Sequence, residues 1–114
     1  MSLNKKSENN LIAYFKYFSN KDIKKLETLF SNHIRIIDWS SNIFGKKSAL
    51  AFNKKLFSKF KTIKVILIEK FFNNKNKSFA CKISIKLNNK TINVVDLIYF
   101  DSKNRISKII AYLR

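Results

Sequence analysis

The 114-residue chain has no proline, one glycine, one cysteine and one histidine, and only seven acidic residues. A lone cysteine, Cys81, excludes a disulfide framework and a cysteine-built zinc site. A lone histidine, His33, excludes a histidine-rich metal centre. No apolar run approaches the roughly 20 residues that a membrane-crossing helix requires. The first ten residues are polar and lack the apolar core of a secretory signal, so a cytoplasmic protein is expected. No Pro/Gly/Ser-rich linker and no internal repeat divides the chain. The length fits one domain, read as residues 10–114 behind a flexible N-terminus at 1–9. A domain of this size buries roughly two-thirds of the surface its unfolded chain exposes and stands without disulfides.

What the chain has is lysine, asparagine, isoleucine and phenylalanine. All but three of its 24 basic residues are lysine, and the formal net charge is +17. Lys, Asn, Ile, Phe and Tyr together exceed half the residues, and their codons are rich in A and T. An AT-rich genome is the simplest source of that bias and of much of the charge. A nucleic-acid reader more often carries arginine for bidentate contacts. Nucleic acid is therefore not the expected partner, although a lysine-rich surface attracts polyanions in a salt-dependent way.

Apolar spacing gives the fold class. Leu11, Tyr14, Phe15 and Phe18 recur at one helical face. Asn20 can cap a second helix, with Asp22 in its first turn and Ile23, Leu26, Leu29 and Phe30 as its stripe. Residues 34–39 alternate as a strand. Gly45 precedes a third helix at 46–60, striped by Ala49, Phe52, Leu56 and Phe60, and serves a backbone angle that side chains resist. Four strands follow, beginning with Ile63–Ile68 and a clean alternation over 78–87. Asn88-Asn89 suits a tight hairpin because asparagine tolerates positive φ. The next strand carries Ile92, Val94, Asp96, Ile98 and Phe100 on one face, and the last runs over 106–113. Helices first and antiparallel strands afterwards define α+β.

Two acids break the apolar pattern. Asp38 shares its strand face with Ile34 and Ile36, and Asp96 with Ile92, Val94, Ile98 and Phe100. Period-2 geometry points both carboxyls inward. A buried carboxyl must be paired, hydrogen-bonded or kept neutral by a raised pKa, and raised values in a cleft suit general acid–base chemistry. Tyr14 brings a hydroxyl to the same interior. The structural alternative gives each a plainer role, in which Asp38 caps the following loop, Asp96 pairs with a lysine, and Tyr14 is ordinary core. Cys81 reads as a buried, inert thiol, and His33 as a loop residue.

The run Tyr14-x3-Phe18-Ser19-Asn20-x-Asp22-x3-Leu26-x2-Leu29-Phe30, then Asp38, then Gly45 ahead of a helix, then Val94-Val95-Asp96-x3-Phe100-Asp101-x3-Arg105-Ile106, resembles the nuclear transport factor two-like superfamily. Within it, the chain resembles the SnoaL-like and ketosteroid isomerase branch. The resemblance spans roughly residues 10–113. It implies a cone-shaped, cystatin-like roll: three helices on a strongly bent mixed or antiparallel sheet around one pocket, commonly in a homodimer. It also implies roles: Tyr14 and a protonated Asp96 donating to a substrate oxyanion, and Asp38 moving the proton, with no metal or cofactor. An apolar small-molecule ligand would sit among Phe18, Trp39, Phe52, Cys81 and Ile98. Trp39 follows Asp38 where the isomerases tend to have proline. The expected function is isomerase-like proton abstraction α to a carbonyl. The alternatives are a non-catalytic ligand-binding or dimerisation module of the same fold, and polyanion binding by the lysine surface.

Overall fold

The structure, a computed structural model, describes residues 5–114; Met1–Asn4 lie outside the described residues. The first apolar stripe becomes α1 (Lys5–Ser19), which buries Leu11, Tyr14, Phe15 and Phe18. Residues 5–9, expected within a flexible N-terminus, are its first turns, and Ser7 is buried. Glu8 stands there at the positive end of the helix dipole and pairs with Lys70 at 3.1 Å. Lys21, at φ 56°, turns the chain into α2 (Ile23–Leu29). Asp22, not Asn20, caps α2: its carboxylate accepts from the Lys25 N–H at 3.1 Å.

Phe30, expected on the helical stripe, instead opens β1 (Phe30–Ile37). Its backbone is extended, at φ −87° and ψ 134°, and it pairs with Ile106 while remaining fully buried. Adjacent buried residues at 29 and 30 suit a helix end or a strand start equally. Only sheet pairing decides between them. A three-residue strand, β2 (Asn42–Phe44), then folds back on β1 with Ile36 opposite Ile43. Three residues are too few to show a period, so the sequence carried no sign of it.

Gly45 joins β2 to α3 (Lys46–Lys59) at φ 94° and ψ 148°, and its N–H donates to the Ile34 carbonyl at 2.8 Å. A Cβ built on Gly45 would meet nothing within 4 Å, so the backbone angle is the whole reason for glycine here. α3 buries Ala49, Asn53 and Phe57. Phe52, Leu56 and Phe60, expected to form the core stripe with Ala49, are only half-buried.

The remaining strands are β3 (Ile63–Asn73), β4 (Ser78–Leu87), β5 (Lys90–Phe100) and β6 (Ile106–Leu113). β3 is longer than Ile63–Ile68 because a register shift between Leu67 and Glu69 interrupts the alternation. A bulge of this kind changes which face later residues occupy and bends the strand. After it, Lys70 lies opposite Cys81 and Phe72 opposite Phe79. β4 and β5 meet at the Asn88-Asn89 turn, with Asn88 at φ 55°.

The six strands form one open sheet in the order β2-β1-β6-β5-β4-β3. Only β1 and β6 pair in parallel. The three helices cover one face of this mixed sheet, giving an α+β, cystatin-like architecture. Leu11, Leu26, Phe30, Ile34, Ile98 and Ile106 are fully enclosed between the layers. Each such side chain contributes roughly 1.5–3 kcal/mol relative to exposure. Among the described residues no helix is long and apolar enough to cross a membrane.

Candidate active site

Helical spacing on α1 turns Tyr14 towards the sheet, where its ring lies 5.3 Å from Phe15, 5.9 Å from Phe18 and 6.2 Å from Phe30. These neighbours clamp the ring, and Tyr14 lines a cavity between the helices and the sheet. Burial pushes that hydroxyl well above its ordinary pKa, and Asp96 and Cys81 add to the shift. Tyr14 is therefore a neutral hydrogen-bond donor throughout the physiological range.

Asp96 sits in the middle of β5, with Cys81 opposite on β4 and Ala111 opposite on β6. Val94 and Ile98 flank it on the inward face. It is 6% exposed, and its carboxyl has no hydrogen bond or ion pair among the described residues. Desolvation disfavours the charged form and pushes its pKa from 3.8 up to about 7. The same burial, with Asp96 adding to it and Lys70 opposing, pushes the Cys81 thiol up to about 12. Near neutrality the protonated form of Asp96 is thus well populated, and that form can donate a hydrogen bond.

Asp38 lies immediately after β1, at the edge of the layers. Its N–H donates to the Ser41 carbonyl at 3.0 Å, closing the loop. Its Oδ1 accepts from the Ser40 N–H at 2.8 Å and from the Ser40 hydroxyl at 3.3 Å. Oδ2 makes no hydrogen bond among the described residues and remains available as a proton acceptor. The loop-capping role weighed from sequence is present, then, but engages only one oxygen.

Tyr14, Asp38 and Asp96 all line one cavity of about 390 Å³. That size falls in the range of small-molecule sites, roughly 300–1,000 Å³. Phe18, Trp39 and Phe52, expected to line it, do so. Trp39, about half exposed, stands at its rim. Cys81 and Ile98 do not line it; both are fully buried in the layer beneath. Their strand period correctly gave the inward face, but not whether packing covers them there. Phe18, Phe52 and Phe60 line the cavity, and about 390 Å³ remains unfilled.

Sequence reasoning missed Asn53, Ser40, Ser41 and Lys59, which also line the cavity. Asn53 is 2% exposed, and its Nδ2 has no hydrogen-bond partner among the described residues. The sign was its position between Ala49 and Phe57, four residues from each on α3. Among the described residues no group of three His, Cys, Asp or Glu side chains is placed to hold a metal.

No protein-family model and no curated protein matches the chain. Solved structures do match in fold. A SnoaL-like protein of unknown function from Burkholderia thailandensis superposes with TM-score 0.83 at 11% identity, covering 96% of this chain and 95% of that one. A candidate ketosteroid isomerase from Kribbella flavida gives 0.81 at 13% identity, covering 96% and 78%. SalBIII, an epoxide hydrolase/cyclase-like enzyme of pyran ring formation in salinomycin, gives 0.80 at 14% identity, covering 100% and 95%. The chain has the fold of the nuclear transport factor two-like proteins, as seen in their SnoaL-like and ketosteroid isomerase-like members. At these identities the likeness is one of fold.

Proposed function

We propose that the protein is a small-molecule enzyme that moves a proton α to a carbonyl. The observation that carries this reading is one apolar cavity lined by Tyr14, Asp38 and Asp96, with burial favouring the protonated form of Asp96 and Asp38 keeping one carboxylate oxygen unengaged. The carbonyl oxygen of the substrate would accept hydrogen bonds from the Tyr14 hydroxyl and the Asp96 carboxyl. Asp38 Oδ2 would take the α-proton as the C–H electrons form the enolate double bond. The negative charge then develops on the oxygen facing two preorganised donors. With a β,γ-unsaturated carbonyl substrate the intermediate is a dienolate, and return of the proton from Asp38 to its γ-carbon shifts the double bond into conjugation with no net gain or loss of atoms or electrons.

The apolar walls favour a compact hydrophobic ligand, and desolvation strengthens both hydrogen bonds. Proteins of this fold include a candidate ketosteroid isomerase and a cyclase-like enzyme, which supports an enzymatic reading and selects no substrate. A test independent of the natural substrate is exchange of the α-protons of 2-tetralone in D₂O, followed by proton NMR. The wild type is expected to accelerate exchange above buffer, and Asp38→Asn to lose the acceleration. Equal exchange with and without a folded protein would overturn the proposal.

A further inference from the structure

The chemistry above uses three polar groups, and the cavity holds a fourth whose hydrogen-bonding capacity is unmet. Asn53 on α3 is 2% exposed, lines the cavity, and has an Nδ2 with no acceptor among the described residues. Leaving a buried amide N–H unpaired costs roughly 1–3 kcal/mol, so a side chain kept for packing alone would be better apolar. Its neighbours on the same helix line, Ala49 and Phe57, are apolar and buried, and a leucine, branched in the same way, would continue that line without an unpaired N–H. Phe52 and Leu56, which line the cavity from the adjacent strip of α3, offer Asn53 no polar partner. Nδ2 itself is shielded in this conformation; a half-turn about the terminal amide torsion, which is broad and roughly two-fold, exchanges its place with that of Oδ1.

We propose that Asn53 is a ligand-binding residue that recognises a second oxygen on the substrate, apart from the carbonyl held by Tyr14 and Asp96. The substrate class is then a doubly oxygenated apolar compound, such as a diketone or a keto ester, rather than a simple hydrocarbon ketone. A site built to hydrogen-bond a second oxygen discriminates against an analogue lacking it, because the amide is then left unpaired. This proposal rests on the carbonyl reading of the cavity, and its test separates the two.

The probes are 2-naphthol, which offers one oxygen to Tyr14 and Asp96, and its 6-acetyl and 7-acetyl derivatives, which add a carbonyl acceptor on the far ring. Affinities are measured by fluorescence titration for the wild type, Asn53→Leu and Asn53→Ala. In the wild type, at least one acetyl isomer is expected to bind about tenfold more tightly than 2-naphthol, the worth of one neutral hydrogen bond. In both variants that ratio is expected to fall to about one. Asn53→Leu is also expected to raise the urea midpoint, because it removes an unpaired buried amide. No preference for either acetyl isomer in the wild type, or a preference that survives in a folded variant, overturns the role of Asn53 while leaving the carbonyl reading intact. A lower midpoint in Asn53→Leu together with an unchanged ratio in Asn53→Ala marks Asn53 as structural. Failure of 2-naphthol itself to bind the wild type overturns both.

Discussion

Replacing Asp96 by asparagine tests the electrostatics of the cavity without any ligand. In the folded chain this carboxyl has its pKa raised from 3.8 to about 7 by burial. Between those values the native state holds a proton that the unfolded state releases. Stability therefore falls as pH rises through that window and levels off above it. At about 1.4 kcal/mol per pH unit, the full loss is about 4 kcal/mol, a large share of the roughly 5–15 kcal/mol typical of a domain. The substituted amide cannot titrate and fills nearly the same volume. Urea unfolding followed by far-ultraviolet circular dichroism, at a series of pH values from about 4 to about 8, measures the difference. Wild type and Asp96→Asn are expected to diverge with rising pH, the variant becoming the more stable by up to about 4 kcal/mol. The raised values of Tyr14 and Cys81 lie above this window, so neither contributes. Parallel curves would refute the reasoning, because Asp96 would then be ionised or solvated at the same pH in both states.

Three further expectations follow from single observations. Gly45→Ala places a side chain at φ 94° with no steric contact to relieve, and thermal unfolding is expected to show a loss of about 1–3 kcal/mol. The Cys81 thiol, fully buried and pushed up to about 12, is expected to react with an aromatic disulfide reagent only as fast as the protein unfolds; prompt native reaction would contradict that burial. The outer sheet face carries an apolar row across four strands, Ile110–Leu97–Ala80–Phe71 by register, for which a second copy of the chain is the expected cover. Sedimentation equilibrium should return a dimer that Leu97→Lys weakens, whereas a monomeric wild type would remove this expectation.

The inward direction of Tyr14 and Asp96 was legible because helical and strand periods each fix which side a residue faces. Asp38 was legible for the same reason, although the strand ends one residue before it. Depth within the face was not legible. Cys81 and Ile98 share the inward face with Asp96, yet packing covers them and leaves Asp96 at the cavity. Phe30 and the short β2 depended on pairing with distant strands, which no local pattern records. The length of β3 was hidden by its bulge, after which Lys70 and Phe72 occupy the face that alternation would have given to their neighbours. Asn53 escaped notice because a search for apolar stripes passes over a polar residue, even one four positions from two buried apolar neighbours.

The central claim is that Tyr14 and Asp96 form a working donor pair for an oxygen that carries negative charge. Fluorescence titration with 2-naphthol, a stable mimic of the enolate, tests it most directly in the wild type and Tyr14→Phe. Binding is expected in the wild type and should weaken about tenfold to a hundredfold in the variant, the worth of a hydrogen bond to a charged group. No binding to the folded wild type, or equal binding by both proteins, would contradict the account.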